Sequence, residues 1–544
     1  MENFSNNYVQ IDNMPISTTP VRLRELTGRR TFYTSTTDLT KDNVVEVVRY
    51  FFNAHQKERR IMQFLYDYDR GIQPILNKKR SDPDKNNNIV VINLPRIIRR
   101  LIQSGFLGEQ LQYISKSEDA KIKKALAKLK FLYDEEDEAE HNLQIENDLS
   151  IVGVAYEFID KPEKGDNSPL TFTRLSPLNT VVVYSDDIEK KPAFAFTYHS
   201  VKDEQQNDIG LKFYVYTPTK TFVYQTGVGY SLENGVSDIA ESDNPLGLIQ
   251  INRYINNIEC MGDFEAAIPI FDAINQIYSR RLDNIDDIVD SFLVFINNQI
   301  FEPKYDEQGN VIGYDNSRLK AFKENKAIEI ESKDKSMPAD LKYLVNTLDQ
   351  EQVQILIDSL IDLAFAVLGA PNAVRSKTKG GGDTGEAVNS REGWRAFEDL
   401  LKTKERFFRK SLKQRFKIIK AIYRFNKDFD ALNPASIDIK FIRTKSLNTQ
   451  SNAQALTAIS KLGLLPPQQV LALSNLVEDP NAEVQKMMDK IDEFTANGTL
   501  TKEQGNIIKT LYYFQNLDPN VLINLMQTPK NNEGGINDEN GNKM

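Results

Sequence analysis

Histidine is the side chain most often used for metal binding and for proton transfer near neutral pH, and this chain has three. His55, His141 and His199 lie far apart, and none has a Cys or His neighbour at the spacing of a zinc site. No Gly-x-Ser-x-Gly elbow or Cys–His pattern indicates an activated nucleophile. We therefore expect no metal site, no cofactor and no catalytic residue, and we expect the protein not to be an enzyme.

An acidic run lies within residues 134–140, where carboxylates could in principle bind a divalent cation. A solvated helix face is the much commoner origin of such a charge run. The sequence therefore predicts that this run faces solvent and binds no metal.

Gly380, Gly382 and Gly385 match the Gly-x-Gly-x-x-Gly string that lets a backbone approach a pyrophosphate. In dinucleotide-binding units that string follows a buried strand, whereas here the polar residues 376–379 precede it. A Walker-type phosphate loop requires Gly-Lys followed by Ser or Thr, and this loop does not supply it. The pattern favours a mobile, glycine-jointed loop over a nucleotide site.

The charges of the chain are strongly segregated, although its net charge of −9 does not indicate a nucleic-acid binder. Residues 263–290 carry seven acids and two arginines, and residues 343–374 carry four acids and neither Lys nor Arg. Between Lys402 and Lys427 there are eleven Lys or Arg and one acid, Glu405. Two acidic segments thus precede a basic one, whose apolar stripe predicts that one side packs inside the protein.

The elements that would position these charges follow from hydrophobic periodicity and from breaker residues. Pro269 is expected in the first turn of a helix or at a kink. Short Val-, Phe- and Tyr-rich runs over 151–224 predict an antiparallel β unit. Helices are predicted over 44–71, 96–104, 119–149, 269–292, 349–368 and 383–425, a turn at 306–310, a strand at 436–443, and short helices within 450–527.

Length and composition indicate a multi-unit protein with no membrane segment. The chain has 544 residues, which suggests three or four structural units. Its single cysteine, Cys260, permits no internal disulfide, so a cytosolic history is expected. The first 20 residues lack the pattern of a secretory signal, and the most apolar stretch, 355–370, is interrupted by Asp358 and Asp362. We expect a soluble protein.

Several short strings occur in a fixed order between Tyr66 and Gln527, and this order resembles that of the portal proteins, or head-to-tail connectors, of long-tailed double-stranded DNA bacteriophages. Each string is weak alone, but their order is specific. The strings are Tyr66-Asp67-Tyr68-Asp69-Arg70-Gly71, Gly105-Phe106-Leu107-Gly108 with Gln112-Tyr113, Gly153-x-Ala155-Tyr156, Ser176-Pro177, Pro245-Leu246, Gly262-Asp263-Phe264-Glu265 with Asp272-Ala273-x-Asn275 and Ser279, and Thr384-Gly385-Glu386-Ala387 with Thr403-Lys404-Glu405.

The resemblance implies an α+β, mostly helical subunit of portal type. It implies a homo-oligomeric ring, usually of twelve subunits, at one vertex of the capsid, through which DNA is packaged and later ejected. The expected location is the virion, with assembly in the host cytoplasm. Implied partners are double-stranded DNA bound without sequence specificity, the large terminase subunit, scaffolding and major capsid proteins, and head-completion or connector proteins.

The same resemblance implies a division of the chain into named regions. These are a flexible N-terminal arm (1–40), a wing of helices and an antiparallel β unit (41–260), a stem helix (261–292), a clip (293–340), a second stem helix (341–370), a tunnel loop (371–383), a long basic wing helix and strand (384–448), a helical crown (449–529) and a disordered tail (530–544).

The charge pattern agrees with this assignment. A channel that passes any DNA sequence benefits from repulsion, because tightly bound phosphates would resist movement; the repulsion acts within roughly 8 Å at physiological salt. The expected lumen-facing acids are Asp272, Asp283, Asp286, Asp290, Asp349, Glu351, Asp358 and Asp362. The expected DNA-facing residues of the tunnel loop are Arg375, Lys377, Lys379, Gly380, Gly381 and Gly382, and the basic wing helix carries Lys402, Lys404, Arg406, Arg409, Lys410, Lys413, Arg415, Lys417 and Lys420.

The sequence leaves two other functions open. A nucleotide-using packaging enzyme would require a phosphate loop and a catalytic acid, and an ATPase assay on the pure protein distinguishes it. A scaffolding or structural virion protein without a DNA channel would form no annulus in negative-stain micrographs.

Reversing the charge of several basic residues between 402 and 427 is expected to weaken ring assembly or DNA retention, because complementary charged faces and phosphate contacts would both be lost. Negative-stain microscopy and the amount of packaged DNA measure the effect. Variants that form normal rings and package normally would contradict this role.

Overall fold

The computed structural model describes most of the chain and shows an α+β fold that is mostly helical, which confirms the predicted fold class. The described residues are 19–80, 86–117, 119–161, 170–205, 207–227, 232, 235–289, 292–296, 302–315, 336, 338, 340–344, 350–372, 393–429, 431, 433–442 and 480–513. Within these ranges, no helix has both the length and the apolar character needed to cross a bilayer.

The elements of the first half are a long helix, three further helices and most of the strands. In chain order they are β1 (Phe32–Thr34), α1 (Val44–Arg70), α2 (Leu94–Leu107), β2 (Gln112–Ser115), α3 (Ala120–Glu135), α4 (Glu138–Val152), β3 (Val154–Asp160), β4 (Thr171–Leu175), β5 (Thr180–Ser185), β6 (Pro192–Lys202), β7 (Asp208–Tyr216), β8 (Lys220–Gln225), β9 (Ala240–Asp243) and β10 (Ile251–Ile255).

The second half is dominated by three long helices. Its elements are α5 (Ile268–Val289), β11 (Phe292–Ile296), β12 (Glu302–Tyr305), β13 (Val311–Asp315), β14 (Asp340–Leu344), α6 (Gln350–Val367), α7 (Trp394–Ile422), β15 (Ile437–Lys440), α8 (Pro480–Ala496) and α9 (Lys502–Tyr513).

The predicted β unit divides between two sheets. Strands β5 to β8 form an antiparallel sheet whose edges are β9 and the parallel strand β1, in the order β1-β5-β6-β7-β8-β9. Strands β3 and β4 pair with β10 in a second antiparallel sheet. The division was not predicted, because β1, β9 and β10 come from outside the predicted unit 151–224. Strand β1 also lies within residues 1–40, which were expected to be a flexible arm, and its pairing with β5 holds this part of the segment in the sheet.

Helix α1 joins the two hydrophobic cores. Its first half packs Val48 and Phe51 against the six-stranded sheet, where Phe194 is fully buried. Its second half places Leu65 and Tyr68 in the larger core, which also contains buried residues of α2, α4, α5 and α7. One continuous helix therefore sets the distance between the β-rich part and the helical part.

Local signals placed several boundaries correctly. Helix α1 begins at the predicted Val44 and ends before Gly71, which adopts the left-handed conformation (φ 95°). Pro269 lies in the first turn of α5. The backbone amides of a first turn have no acceptor within the helix, so the N–H that proline lacks costs no helical hydrogen bond. The predicted turn at 306–310 joins β12 to β13, with the Asp306 carboxylate accepting from the amides of Gln308 and Asn310.

The prediction of one helix over 119–149 was wrong. The chain breaks between α3 and α4 at Asp137, whose backbone is left-handed (φ 46°) and whose side chain accepts from the Glu140 amide at the start of α4. Aspartate is a favoured N-cap because its carboxylate satisfies an unpaired helix amide. The other predicted helices match α2, α5 and α6 to within a few residues, and the predicted starts at 383 and 450 lie outside the described residues.

Substituting Gly153 by Ala is expected to destabilise the subunit by about 3 kcal/mol or more, whereas Gly309→Ala should cost about 1 to 2 kcal/mol. Both glycines are left-handed, at φ +83° and +84°. A Cβ on Gly153 would lie 2.1 Å from the carbonyl oxygen of Cys260, but a Cβ on Gly309 would meet open space. Urea denaturation of the two variants measures the difference, and equal midpoints would contradict the close approach.

Candidate functional site

Helices α5 and α6 form a packed pair that is held by an arginine. The Arg281 Nε donates to Gln350 Oε1 at 2.6 Å, and its Nη1 donates to Gln354 Oε1 at 2.8 Å. Gln354 in turn donates to Asp358 at 2.9 Å. Arg281 is one of only two basic residues in the acidic segment 263–290, and here it links the two acidic helices.

An extended segment, residues 86–92, lies along α5, and we call it the strap. Three α5 side chains one turn apart accept its alternate backbone amides. Asn275 Oδ1 accepts from Ile92 N at 2.8 Å, Ser279 Oγ from Val90 N at 3.0 Å, and Asp283 Oδ1 from Asn88 N at 2.9 Å.

We call these three hydrogen bonds the ladder. It forms because the rise of four residues of α-helix nearly equals the rise of two residues of extended chain. Four residues of α-helix rise about 6 Å, and two residues of extended chain rise about 6.6 Å. A polar residue at every fourth helix position can therefore pair with every second amide of the strap. Asn275 and Ser279 are fully buried, so this polar face of α5 is covered by the strap.

Three of the predicted lumen-facing acids on α5 have partners within the subunit. Asp283 is buried and paired with Lys78, and Arg80 Nη1 lies 3.9 Å away. Desolvation would raise the pKa of Asp283, but Lys78 and the Asn88 amide outweigh it and hold that pKa below its ordinary value. The other two acids are Asp272 and Asp286. Asp272 accepts a hydrogen bond from Tyr68 Oη at 2.8 Å, and Asp286 accepts one from the Asn88 side chain at 2.7 Å.

The predicted acids on α6 are also oriented by neighbours. Asp358 accepts from Gln354, and Asp362 accepts from Asn372 Nδ2 at 2.8 Å, while Glu351 is exposed in the first turn. The predicted tunnel loop (Arg375, Lys377, Lys379, Gly380, Gly381, Gly382), Asp290 and Asp349 lie outside the described residues.

The outer face of α6 is apolar. Leu356, Leu363 and Val367 follow one another at spacings of seven and four residues and are about half exposed, with Leu356 at 51% and Leu363 at 49%. Ile355 is also exposed, on the neighbouring side of the helix beside the acids. Such a contiguous row on one helix is a candidate interaction surface rather than ordinary scatter.

Arg415 of the basic helix α7 is fully buried in a network of charges. Its Nη1 donates to Glu138 at 2.7 Å, and its Nη2 donates to Glu157 at 2.8 Å and to Asn142 at 2.9 Å. His141 Nε2 lies 2.9 Å from Glu157 Oε2, so this histidine also belongs to the network. Burial alone would raise the pKa of Glu157, but Arg415 and His141 outweigh it and hold that pKa well below its ordinary value.

Lys404 is buried in a second network eleven residues earlier on α7. Its Nζ donates to Glu146 at 2.8 Å, to Asp263 at 2.7 Å and to Ser150 Oγ at 2.9 Å. Burial would lower the pKa of Lys404, but the two carboxylates outweigh it and raise that pKa. This network joins α7 to α4 and to the segment that leads into α5.

The predicted basic residues of α7 therefore divide into three groups. Lys404 and Arg415 are internal anchors, and Arg409 and Lys413 are half-buried, with Arg409 donating to the Ile439 carbonyl. Those at the surface are Lys402, Arg406, Lys410, Lys417 and Lys420.

The carboxylates that pair with Lys404 and Arg415 were not predicted from the sequence. Glu138 belongs to the acidic run that was expected to face solvent, and for this residue the expectation was wrong because it is buried against Arg415. Glu157 gave a usable signal, because it is a charged residue in the middle of strand β3, between the aromatic residues Tyr156 and Phe158. Within the described ranges, no group of His, Cys, Asp or Glu is arranged to hold a metal ion.

Comparisons with known proteins identify a family over most of the chain. Residues 49–495 match the sequence model of the family described as "Phage portal protein, SPP1 Gp6-like". Among matching solved structures is "Neck of empty GTA particle computed with C6 symmetry", at 14% identity and a TM-score of 0.39, covering 71% of this chain and 90% of that chain. A search of curated protein sequences found no match.

Replacing Ser279 by Ala should loosen the strap, because the Val90 amide loses its acceptor. A hydrogen bond worth about 1 kcal/mol corresponds to about fivefold faster amide exchange. Hydrogen–deuterium exchange of peptides covering 86–92 measures this, and Gln276→Ala, at an exposed position of the same helix, is the control. Equal exchange in the two variants would contradict the ladder.

Replacing Arg415 by Met should destabilise the subunit by about 3 to 5 kcal/mol, because two buried carboxylates lose their cation. The exposed Arg406→Met on the same helix should change stability by less than about 1 kcal/mol. Chemical denaturation compares the two, and similar losses would show that the network is not an anchor.

The same network predicts a pH dependence of stability. Because the folded-state pKa of Glu157 is depressed, its contribution is fully present above the unfolded-state value of about 4.3 and is lost as the pH falls below it. Thermal unfolding between pH 6 and pH 3 should therefore show a steeper acid destabilisation in the wild type than in Arg415→Met. A parallel decline in both proteins would contradict it.

Proposed function

Because the chain belongs to the SPP1 Gp6-like family of phage portal proteins, we propose that it assembles into a ring whose central channel passes double-stranded DNA at a capsid vertex. The family match over residues 49–495 is the observation that carries the proposal, since it includes both helices of the packed pair and the whole of α7. It also confirms the resemblance found in the sequence.

In this proposal α5 and α6 are the stem helices that surround the channel. The strap covers one polar face of α5, and Arg281 fixes α6 beside it. Asp283 is neutralised by Lys78 and Arg80, so it contributes little repulsion of DNA. The repelling charge is assigned instead to α6, whose own sequence carries Glu351, Asp358 and Asp362 and neither Lys nor Arg.

The other regions follow the family arrangement as proposals. The strand pair β11–β14 and the hairpin β12–β13 correspond to the clip, which would meet the packaging motor and later the connector proteins. Helix α7 corresponds to the wing and α8 with α9 to the crown. Residues 371–383 are proposed as the tunnel loop, and the expected activity is structural rather than catalytic.

The apolar face of α6 supports an oligomer. Leu356 and Leu363 lie on one face of the helix and are half exposed in the single subunit. A closed ring with two different faces per subunit would cover them with the neighbouring copy. We infer that this face lies at the contact between neighbouring stems.

Negative-stain microscopy of the purified protein tests the proposal. The expected result is an annulus with a central hole wide enough for a DNA duplex. Particles that are solid, or a protein that stays monomeric at every concentration, would contradict the channel.

Replacing Leu356 and Leu363 together by Glu should reduce ring formation at least tenfold, because a charge would be buried at each contact. Light scattering coupled to size-exclusion chromatography measures the assembled fraction. The control replaces Ile188 and Ile258, which are 101% and 79% exposed on other surfaces, by Glu. If both double variants assemble equally, α6 is not at the contact.

A further inference from the structure

A cavity of about 580 Å³ lies where the end of α1, α2, α4 and β4 meet. Arg70, Arg96, Arg99 and Arg174 line it, against two lining carboxylates, those of Asp69 and Glu140. We call it the arginine pocket. It has no role in the proposed channel, and its volume is typical of ligand sites.

Two of the four arginines are already paired. Arg99 Nε donates to Asp69 at 2.7 Å. Arg174 binds Asp148 with two hydrogen bonds, at 2.6 and 2.7 Å, in the bidentate arrangement that suits a guanidinium and a carboxylate. These pairs hold their side chains in place and leave them little capacity for a further anion.

The other two arginines have no such partner. Neither Arg70 nor Arg96 forms a salt bridge with a carboxylate in the part of the chain that the structure describes, although Arg70 acts electrostatically on the nearby Asp67. The Nε of Arg96 is buried and has no hydrogen-bond acceptor among those residues. Since Arg96 is a half-buried cation that lines the pocket without a carboxylate among the described residues to balance its charge, an incoming anion would be favoured at this position.

The walls of the pocket indicate which anion it would take. The arginines share the lining of the pocket with the side-chain amides of Gln144 and Asn147 and with the apolar Leu143. Amides can hydrogen-bond a peptide backbone and a leucine can contact its apolar side chains, so this combination suits a peptide. A DNA duplex is too wide to enter a cavity of this volume. The carboxylates of Asp69 and Glu140 would also repel a phosphate dianion more strongly than a single carboxylate.

We propose that the arginine pocket binds an acidic side chain of a polypeptide segment from a partner protein, held by Arg70 and Arg96. A guanidinium presents its donors in a planar fork that matches the two oxygens of a carboxylate. The pocket is therefore a docking site for an acidic segment, separate from the stem and independent of whether the channel assignment holds.

Fluorescence anisotropy with a labelled hexaglutamate peptide and the full-length chain tests the proposal. The wild type should bind hexaglutamate and not a hexaglutamine peptide. Arg70→Gln combined with Arg96→Gln should weaken binding by about tenfold or more. The control is Arg100→Gln, an exposed arginine on the same helix that does not line the pocket, and it should leave binding unchanged.

The exposed Arg70→Gln alone, which does not disturb the buried part of the pocket, should weaken binding several-fold and guards against misfolding of the double variant. The proposal fails if the wild type does not bind hexaglutamate, or if the double variant and the Arg100 control bind equally. It also fails if a short DNA duplex or inorganic phosphate displaces the peptide in an Arg96-dependent manner at lower concentration, because the occupant would then be a phosphate.

Discussion

The position of α7 within the subunit depends on two buried cations, Arg415 and Lys404. Each is surrounded by carboxylates from elements distant in sequence, among them Glu157 of β3 and Asp263 just before α5. Charges removed from water are tolerated only when their partners stay in place, and losing one partner leaves an uncompensated buried charge. Helix α7 therefore cannot slide along α4 and β3 without breaking both networks. Because Asp263 precedes α5 by a few residues, the same constraint fixes where that helix begins.

The strap extends this fixed frame along α5. Its alternate amides are satisfied by Asn275, Ser279 and Asp283, so one face of the helix is polar, buried and internally bonded. Arg281, elsewhere on α5, donates a hydrogen bond to Gln350 of α6 and so links the two helices. The helix pair is thus rigidly attached to the rest of the subunit, while the apolar outer face of α6 remains available to a neighbouring copy. This combination is consistent with the proposed ring, whose channel would have to stay open as DNA moves.

The sequence predicted the elements well wherever the signal was local. Val44 and Gly71 mark the ends of α1, and Pro269 marks the first turn of α5, because periodicity and backbone preference act over a few residues. The prediction of a single helix over 119–149 was wrong because Asp137, a charged residue, lies between two helices and caps the second. The sequence also predicted Asp283 as a carboxylate facing the channel, although Lys78, 205 residues away in sequence, pairs with it. The order of short strings was more informative than any single residue, and it identified the portal family correctly.

By itself the sequence determined the positions of α1, α2, α5 and α6, the α+β class, the segregation of acidic and basic segments and the family, since each is encoded in spacing or order along the chain. Only the tertiary structure decided which charges are anchors and which are surface. Lys404 and Lys402 are two residues apart on the same helix, yet one is buried between Glu146 and Asp263 and the other is exposed. The reason is physical: the energy of a charge depends on its solvent exposure and on partners brought close by folding, and Asp263 reaches Lys404 across 141 residues of chain.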